Sequence, residues 1–390
     1  MKQIDEKIKQ WNQLFYIISQ LTFWLALLVE LTIVIVEKSE YIIQYEGLWF
    51  RLTFLLFGIS LLTIRHSKRE WLFLLVFGII GFLSYQATGR NEILRWIVFI
   101  WACKGKDMKR VFQTTFWFLS LGCLLLILLS ISGIYGSIYQ TGVFRNGIEE
   151  IRYCFGMGHP NAFHCMMLVV TWLGIYSYHE KIKCWGYFFI AAAHGVVYYF
   201  TVSRTGLLMS AGTLFLVLFV KYIPKIKNCT LPYIWGIITL FVSVGFSVFM
   251  AKYSILHPLL KKLDVYLTGR IYALVDTINS EGMLPTWSLW SRSENTYYFD
   301  LGIVRMFYWF GIIPAAIYFL TQVRLLWCGR KNKDYMMAVI LICITIYSIF
   351  EAHFISDYLG RNFILFWFGM YLTQMLGEEK GVLKDACNGE

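Results

Sequence analysis

Seven arginines, Arg90, Arg145, Arg152, Arg204, Arg270, Arg292 and Arg361, fall between apolar runs on what reads as one side of a membrane, beside only four lysines, Lys38, Lys252, Lys261 and Lys262. A guanidinium is a planar fork that meets phosphate or carboxylate oxygens two at a time, so a face enriched in arginine predicts an anionic ligand, and phosphate headgroups fit best. The competing reading for any one of them is a side chain that snorkels to lipid phosphates or pairs with a nearby acid. Two positions favour the ligand. Arg204 lies in Thr201-Val202-Ser203-Arg204-Thr205-Gly206, a tight turn in which Ser203 is placed to N-cap the next helix and leave free amides and the positive dipole end beside the guanidinium. Arg152 precedes Phe155-Gly156-Met157-Gly158-His159-Pro160-Asn161, where the glycines allow close backbone approach and Pro160 suits a first helical turn. Two such helix starts on one face, each with an arginine, would form a diphosphate pocket if they meet.

His159 fits three roles: a general base, an N-cap, or a polar residue at the interface. His164 and His194 fall within apolar runs and read as packed, interhelical hydrogen-bonding residues. Among the acids on the arginine side, Glu294 and Glu351 stand at span boundaries, where partial burial raises a carboxylate pKa; for Glu351 an ordinary interfacial ion pair is an equal reading. Glu30 and Arg51 read as an intramembrane pair between the first two spans. No Cys/His spacing or clustered acidic motif predicts a metal ion, and neither a P-loop nor a dinucleotide fingerprint predicts a nucleotide cofactor.

The elements that hold these residues must be membrane helices. Of 390 residues 58% are hydrophobic and only 15% charged, the formal charge is +11 and the mean hydropathy is +0.58. Soluble domains carry about 25% charged residues, so the composition excludes a soluble globular protein. The cations sit in short clusters between apolar runs, which excludes nucleic-acid binding and points to topology signals. Apolar runs at 15–36, 47–64, 71–86, 92–103, 111–132, 160–178, 184–202, 204–222, 233–251, 301–323, 335–353 and 361–377 predict an all-α polytopic integral membrane protein with twelve spans in one transmembrane domain. The first reads as a retained signal anchor, and the fourth, short and containing Arg95, as a re-entrant segment or one extended upstream.

Counted from a cytoplasmic N-terminus, 21 cations including Lys380 and Lys384 face inwards and 11 outwards, which places both termini in the cytoplasm. Only Cys154 of the nine cysteines falls outside, so no disulfide framework is expected. The two sizeable external loops are 133–158 and 252–300, and chemistry is expected there. Within the second, residues 255–278 carry an apolar stripe opposite Lys261, Lys262, Asp264 and Arg270 and read as an interfacial amphipathic helix.

These residues together resemble the bacterial oligosaccharide repeat-unit polymerases of the Wzy type and the related O-antigen ligases. The resemblance covers most of the chain as topology, and its specific motifs are Arg152 with Phe155 to Asn161, Ser203-Arg204-Thr205-Gly206, Thr268-Gly269-Arg270, and Glu294-Asn295-Thr296-Tyr297 followed by Gly311. It implies a metal-independent enzyme without cofactor that uses polyprenyl-diphosphate-linked glycans on the outer face of the bacterial cytoplasmic membrane, with membrane lipids and a chain-length regulator as partners. Arg152, Arg204 and Arg270 would hold the diphosphate. The ligases carry a His-Asn pair where this chain has Glu294-Asn295, which tilts the expectation towards polymerase over ligase.

In such a reaction the diphosphate is already a good leaving group, so what is needed is fixed positive charge and a base for the acceptor hydroxyl. Glu294 is the first choice of base and His159 the second. Asn161, Asn295, Tyr297, Glu351 and Arg361 are expected to position the substrate. Trp287, Trp290, Tyr297 and Tyr298 suit sugar stacking, although an interfacial aromatic belt uses the same residue types. A flippase for the same lipid is the alternative from another class; it should place charges at the midplane and show two related halves.

Overall fold

A computed structural model describes residues 2–145, 148–267, 269–274, 284–298 and 300–378. Thr268, residues 275–278 of the expected amphipathic helix, Lys380 and Lys384 lie outside them. The described residues form α1 (Lys2–Lys38), α2 (Glu46–Leu62), α3 (Lys68–Thr88), α4 (Glu92–Ala102), α5 (Met108–Ile131), strands β1 (Tyr139–Arg145) and β2 (Ile148–Tyr153), α6 (Pro160–Tyr178), α7 (Cys184–Thr201), α8 (Arg204–Tyr222), α9 (Pro224–Lys227), α10 (Leu231–Tyr253), α11 (Pro258–Tyr266), α12 (Gly302–Phe310), α13 (Ile312–Lys331), α14 (Tyr335–Phe350) and α15 (Ile364–Met375). Six helices, in α1, α3, α5, α8, α10 and α13, are long and apolar enough to cross a membrane, and α14 and α15 are shorter apolar helices. Their outward surfaces are apolar: Leu72, Leu75, Ile79 and Phe82 on α3 and Leu121, Leu125 and Leu128 on α5 are all exposed. Water would penalise such faces and lipid does not, so the bundle suits a membrane-embedded, polytopic helical protein.

The bundle has two chemically distinct ends. At the lysine-rich end, Arg65 donates to Asn12 at 3.0 Å, Lys104 pairs with Glu70, Ser67 bonds Glu378 at 2.5 Å, and Tyr176 donates to Asp334 at 2.9 Å. At the other end, the Ser137 amide donates to Glu40 at 3.0 Å, Arg90 lies 3.7 Å from Asp357, and Arg361 pairs with Glu37. The loop at 133–158 contains an antiparallel hairpin, β1 against β2, with Gln140 opposite Arg152. Gly136 rests directly on Gly156, where an added Cβ would sit 2.8 Å from its Cα.

Four expectations are corrected. Glu30 pairs with Arg95 of α4 at 2.8 Å and accepts from Thr53 at 2.5 Å, while Arg51 is exposed; both members of the true pair are buried, so neither charge stands alone. The expected span at 301–323 is two helices. Gly311, with φ of +92°, breaks it where the chain at 289–291 passes so close that a Cβ would lie 2.6 Å from the Ser291 nitrogen. The wholly buried α12 and the span-length α13 follow. The apolar run at 92–103 forms an 11-residue helix, about 16 Å long, that starts at Glu92 and does not extend upstream.

Finally, the amphipathic segment is interrupted. α11 ends at Tyr266, Gly269 takes φ of +82°, and the Asp264 carboxylate accepts from the amides of Ile271 at 2.7 Å and Tyr272 at 3.2 Å. That carboxylate folds the chain back and presents Arg270 beside α8 and α14.

Candidate functional site

The starts of α6 and α8 meet. Gly206, in the first turn of α8, presses on the His164 ring of α6 so closely that a Cβ would lie 2.4 Å from its Cγ. His164 in turn bonds His194 of α7 at 3.2 Å, and His194 bonds Thr171 at 2.9 Å, an interhelical polar chain under the site.

Above this contact, α6 is capped by His159, whose Nδ1 accepts from the Asn161 amide at 3.1 Å, with Pro160 in the first turn. With Nδ1 accepting, a neutral ring carries its proton on Nε2, so this nitrogen is a donor rather than a base. Packing around the ring, one edge of which stays open to solvent, pulls its pKa below the usual value; Asp300 opposes this, and Arg152, Arg270 and Lys38 reinforce it. Those four charged groups therefore all act on one imidazole, although they come from the long loop, the hairpin and the end of α1.

Arg270 is the centre of the group. Its Nη2 donates to Glu351 at 2.5 Å, its Nε faces Asp300 at 3.2 Å, and its Nη1 reaches the Thr205 hydroxyl at 3.5 Å. Burial alone would lower its pKa, but the Glu351 and Asp300 charges raise it, so it stays a cation. Burial pushes the Glu351 carboxyl up, with Arg270 pulling it back. Arg152 is buried in the hairpin and directs Nε and Nη2 at one oxygen of Glu150, at 2.9 and 2.5 Å; two residues apart on one strand, the two side chains share a face.

Arg204 begins α8 next to Thr205, is exposed, and makes no ion pair or hydrogen bond among the described residues. Ser203 occupies the N-cap position but makes no capping bond, contrary to the expected cap, because its side chain does not reach the first-turn amides. The first turn of α8, with Arg204 in it, therefore has no side-chain cap.

The remaining expected residues are placed differently. Glu294 is exposed, has no ion pair among the described residues, and is not among the strongest charges acting on His159. Asn295 is buried and donates its amide to Ser291 at 2.9 Å and to the Tyr308 carbonyl at 3.0 Å, which ties the loop to α12. The Tyr297 carbonyl accepts from Trp309 at 3.1 Å, and its ring is exposed. Arg361 is buried against Glu37 and the Tyr358 ring, 4.2 Å away. Trp287 stacks on Phe307 at 4.6 Å and Tyr298 lies under Arg305 at 3.6 Å, so each ring has one face covered by the protein, while Tyr298 stays largely exposed.

Sequence reasoning gives no site role to Lys38, Thr205 or Asp300; Thr205 stands in the quoted motif around Arg204, but no local pattern marks any of the three. An apolar cavity of about 380 Å³ lies between α3, α4, α13 and α15, lined by Phe73, Phe77, Ile97, Pro314 and Phe368, with Met306 of α12 in its wall.

No protein-family model, curated protein or solved structure matches this chain.

Proposed function

We propose that the chain is a membrane glycosyltransferase of the repeat-unit polymerase type, joining polyprenyl-diphosphate-linked oligosaccharides into a surface polysaccharide. In this reading twelve passes place both termini in the bacterial cytoplasm and the arginine-lined end outside the cytoplasmic membrane. One observation carries it: the starts of α6 and α8 meet at His164 and Gly206, with Arg204 in the first turn of α8 and the charges of Arg152 and Arg270 both acting on the histidine that caps α6. Uncapped helix amides and guanidinium forks are the groups that bind a diphosphate and stabilise its charge as the glycosidic bond to it breaks.

The mechanism assigns charge to Arg152, Arg204 and Arg270, and a hydrogen bond from Nε2 of His159 to a phosphate oxygen. Glu351 replaces Glu294 as the first choice of base, since it faces Arg270 while Glu294 does not. Asn161 and Tyr297 remain candidates for sugar contacts. The apolar cavity offers room for part of a prenyl chain.

The test is incubation of the purified protein in lipid vesicles with a lipid-linked repeat unit and no other acceptor or energy source. A ladder spaced by one repeat, with released polyprenyl diphosphate, is expected. Movement of intact substrate across the bilayer would establish a transporter, and transfer only after a second acceptor is added would establish a ligase.

A further inference from the structure

We infer that Glu351 and Asp300 hold Arg270 in reserve, that a bound diphosphate takes the guanidinium from them, and that Glu351, so released, removes the proton of the acceptor hydroxyl. This inference rests on the diphosphate reading of the same site. In the ligand-free chain two donors of Arg270 are already used, Nη2 by Glu351 at 2.5 Å and Nε by Asp300 at 3.2 Å. A diphosphate that grips the guanidinium through Nε and Nη2 must displace both carboxylates, because those are the two donors they hold. An entering dianion therefore competes with two carboxylates for one cation.

The consequence for Glu351 follows from its surroundings. It closes the end of α14 and is flanked by Arg270 and Asp300 of the long loop, Lys38 of α1, Cys165 of α6 and Tyr347 of α14. Arg270 is the strongest influence favouring its charged form, against burial that disfavours it. As Arg270 turns to the diphosphate, that support weakens and the carboxylate becomes more basic. The step is balanced: the acceptor oxygen forms its bond to the anomeric carbon, the carbon–oxygen bond to diphosphate breaks with its electron pair on the phosphate oxygen, and the hydroxyl proton passes to Glu351. One arginine thereby couples charge on the leaving group to the strength of the base.

The probe is farnesyl diphosphate, titrated against the full chain in detergent. Glu351→Gln and Asp300→Asn each remove a competitor, so each is expected to bind it about tenfold more tightly, whereas Arg270→Gln weakens binding. In the polymer assay Glu351→Gln slows transfer by about 100-fold or more while holding its ligand tightly. Asp300→Asn serves if Glu351→Gln does not fold. Binding by both variants that is unchanged or weaker, with the unaltered chain binding normally, overturns the exchange and leaves the diphosphate reading standing. Absence of binding by the unaltered chain overturns that reading and the exchange with it. Tighter binding with undiminished transfer in Glu351→Gln removes the base role.

Discussion

Arg270 and Glu351 stand 81 residues apart in the chain and are joined by a 2.5 Å hydrogen bond between a loop residue and the end of α14. Both are largely withdrawn from solvent, with side chains 8% and 15% exposed. The pair thus fixes the long loop to the bundle as well as supplying charge. Arg270→Ala leaves a buried carboxylate without its counter-charge, and the loss expected is about 3–5 kcal/mol of stability together with loss of transfer. A melting curve in detergent reads the first and the polymer assay the second. An unaltered melt would show that Glu351 does not depend on this partner.

Arg204 separates function from structure, because its exposed side chain holds nothing together among the described residues. Arg204→Ala is expected to change stability by no more than about 0.5 kcal/mol and yet to lower transfer by tenfold or more, about 1.4 kcal/mol of transition-state binding. Equal activity in the variant, with normal insertion, would remove Arg204 from the site.

The base is tested by comparing two glutamates. Glu351→Gln is expected to slow transfer far more than Glu294→Gln, since only Glu351 touches Arg270. The reverse order of rates would return the role to Glu294.

Helix approach at the site depends on one missing side chain. Gly206→Ala forces its Cβ against the His164 ring, so α6 and α8 must part by tenths of an ångström or more. The expected cost is about 1–3 kcal/mol, with lower transfer, because the two helix starts that hold the ligand no longer meet in the same place. A variant with unchanged melting temperature and activity would contradict that reading of the contact.

Acid should destabilise the fold through His353, in the segment between α14 and α15. Burial first, then Lys38, holds its imidazole well below 6.5. The unfolded ring takes its proton near pH 6.5 and the folded ring only at lower pH, so in that window the unfolded chain binds more protons and stability falls as pH falls. His353→Gln is expected to flatten the dependence of melting temperature on pH below 6.5. An identical slope would assign the acid sensitivity elsewhere.

What the sequence makes legible is local. Pro160 after His159, the glycines at 156 and 158, and the arginines at 152, 204 and 270 all follow from residue type and short spacing, as does the apolar character of the helices. Pairings between distant segments are not carried by any local pattern. Glu30 could meet Arg51 or Arg95, and only the approach of α4 to α1 decides for Arg95. Asp300 and Lys38 acquire meaning only when the long loop and the end of α1 reach His159.

The amphipathic stripe at 255–278 has helical period, yet Gly269 and the Asp264 carboxylate end the helix, since a charged side chain that accepts two backbone amides outweighs the stripe. Periodicity also ran straight through Gly311, because the close passage of residues 289–291 that requires a glycine there is a tertiary fact.

The central claim is that this end of the bundle binds a diphosphate, and a cryo-EM structure of the protein with farnesyl diphosphate in lipid nanodiscs tests it most directly. The account predicts phosphate density within hydrogen-bonding distance of Arg270 and the first turn of α8, with Arg270 turned away from Glu351. Diphosphate density away from these arginines, with the Arg270–Glu351 bond intact, would contradict it.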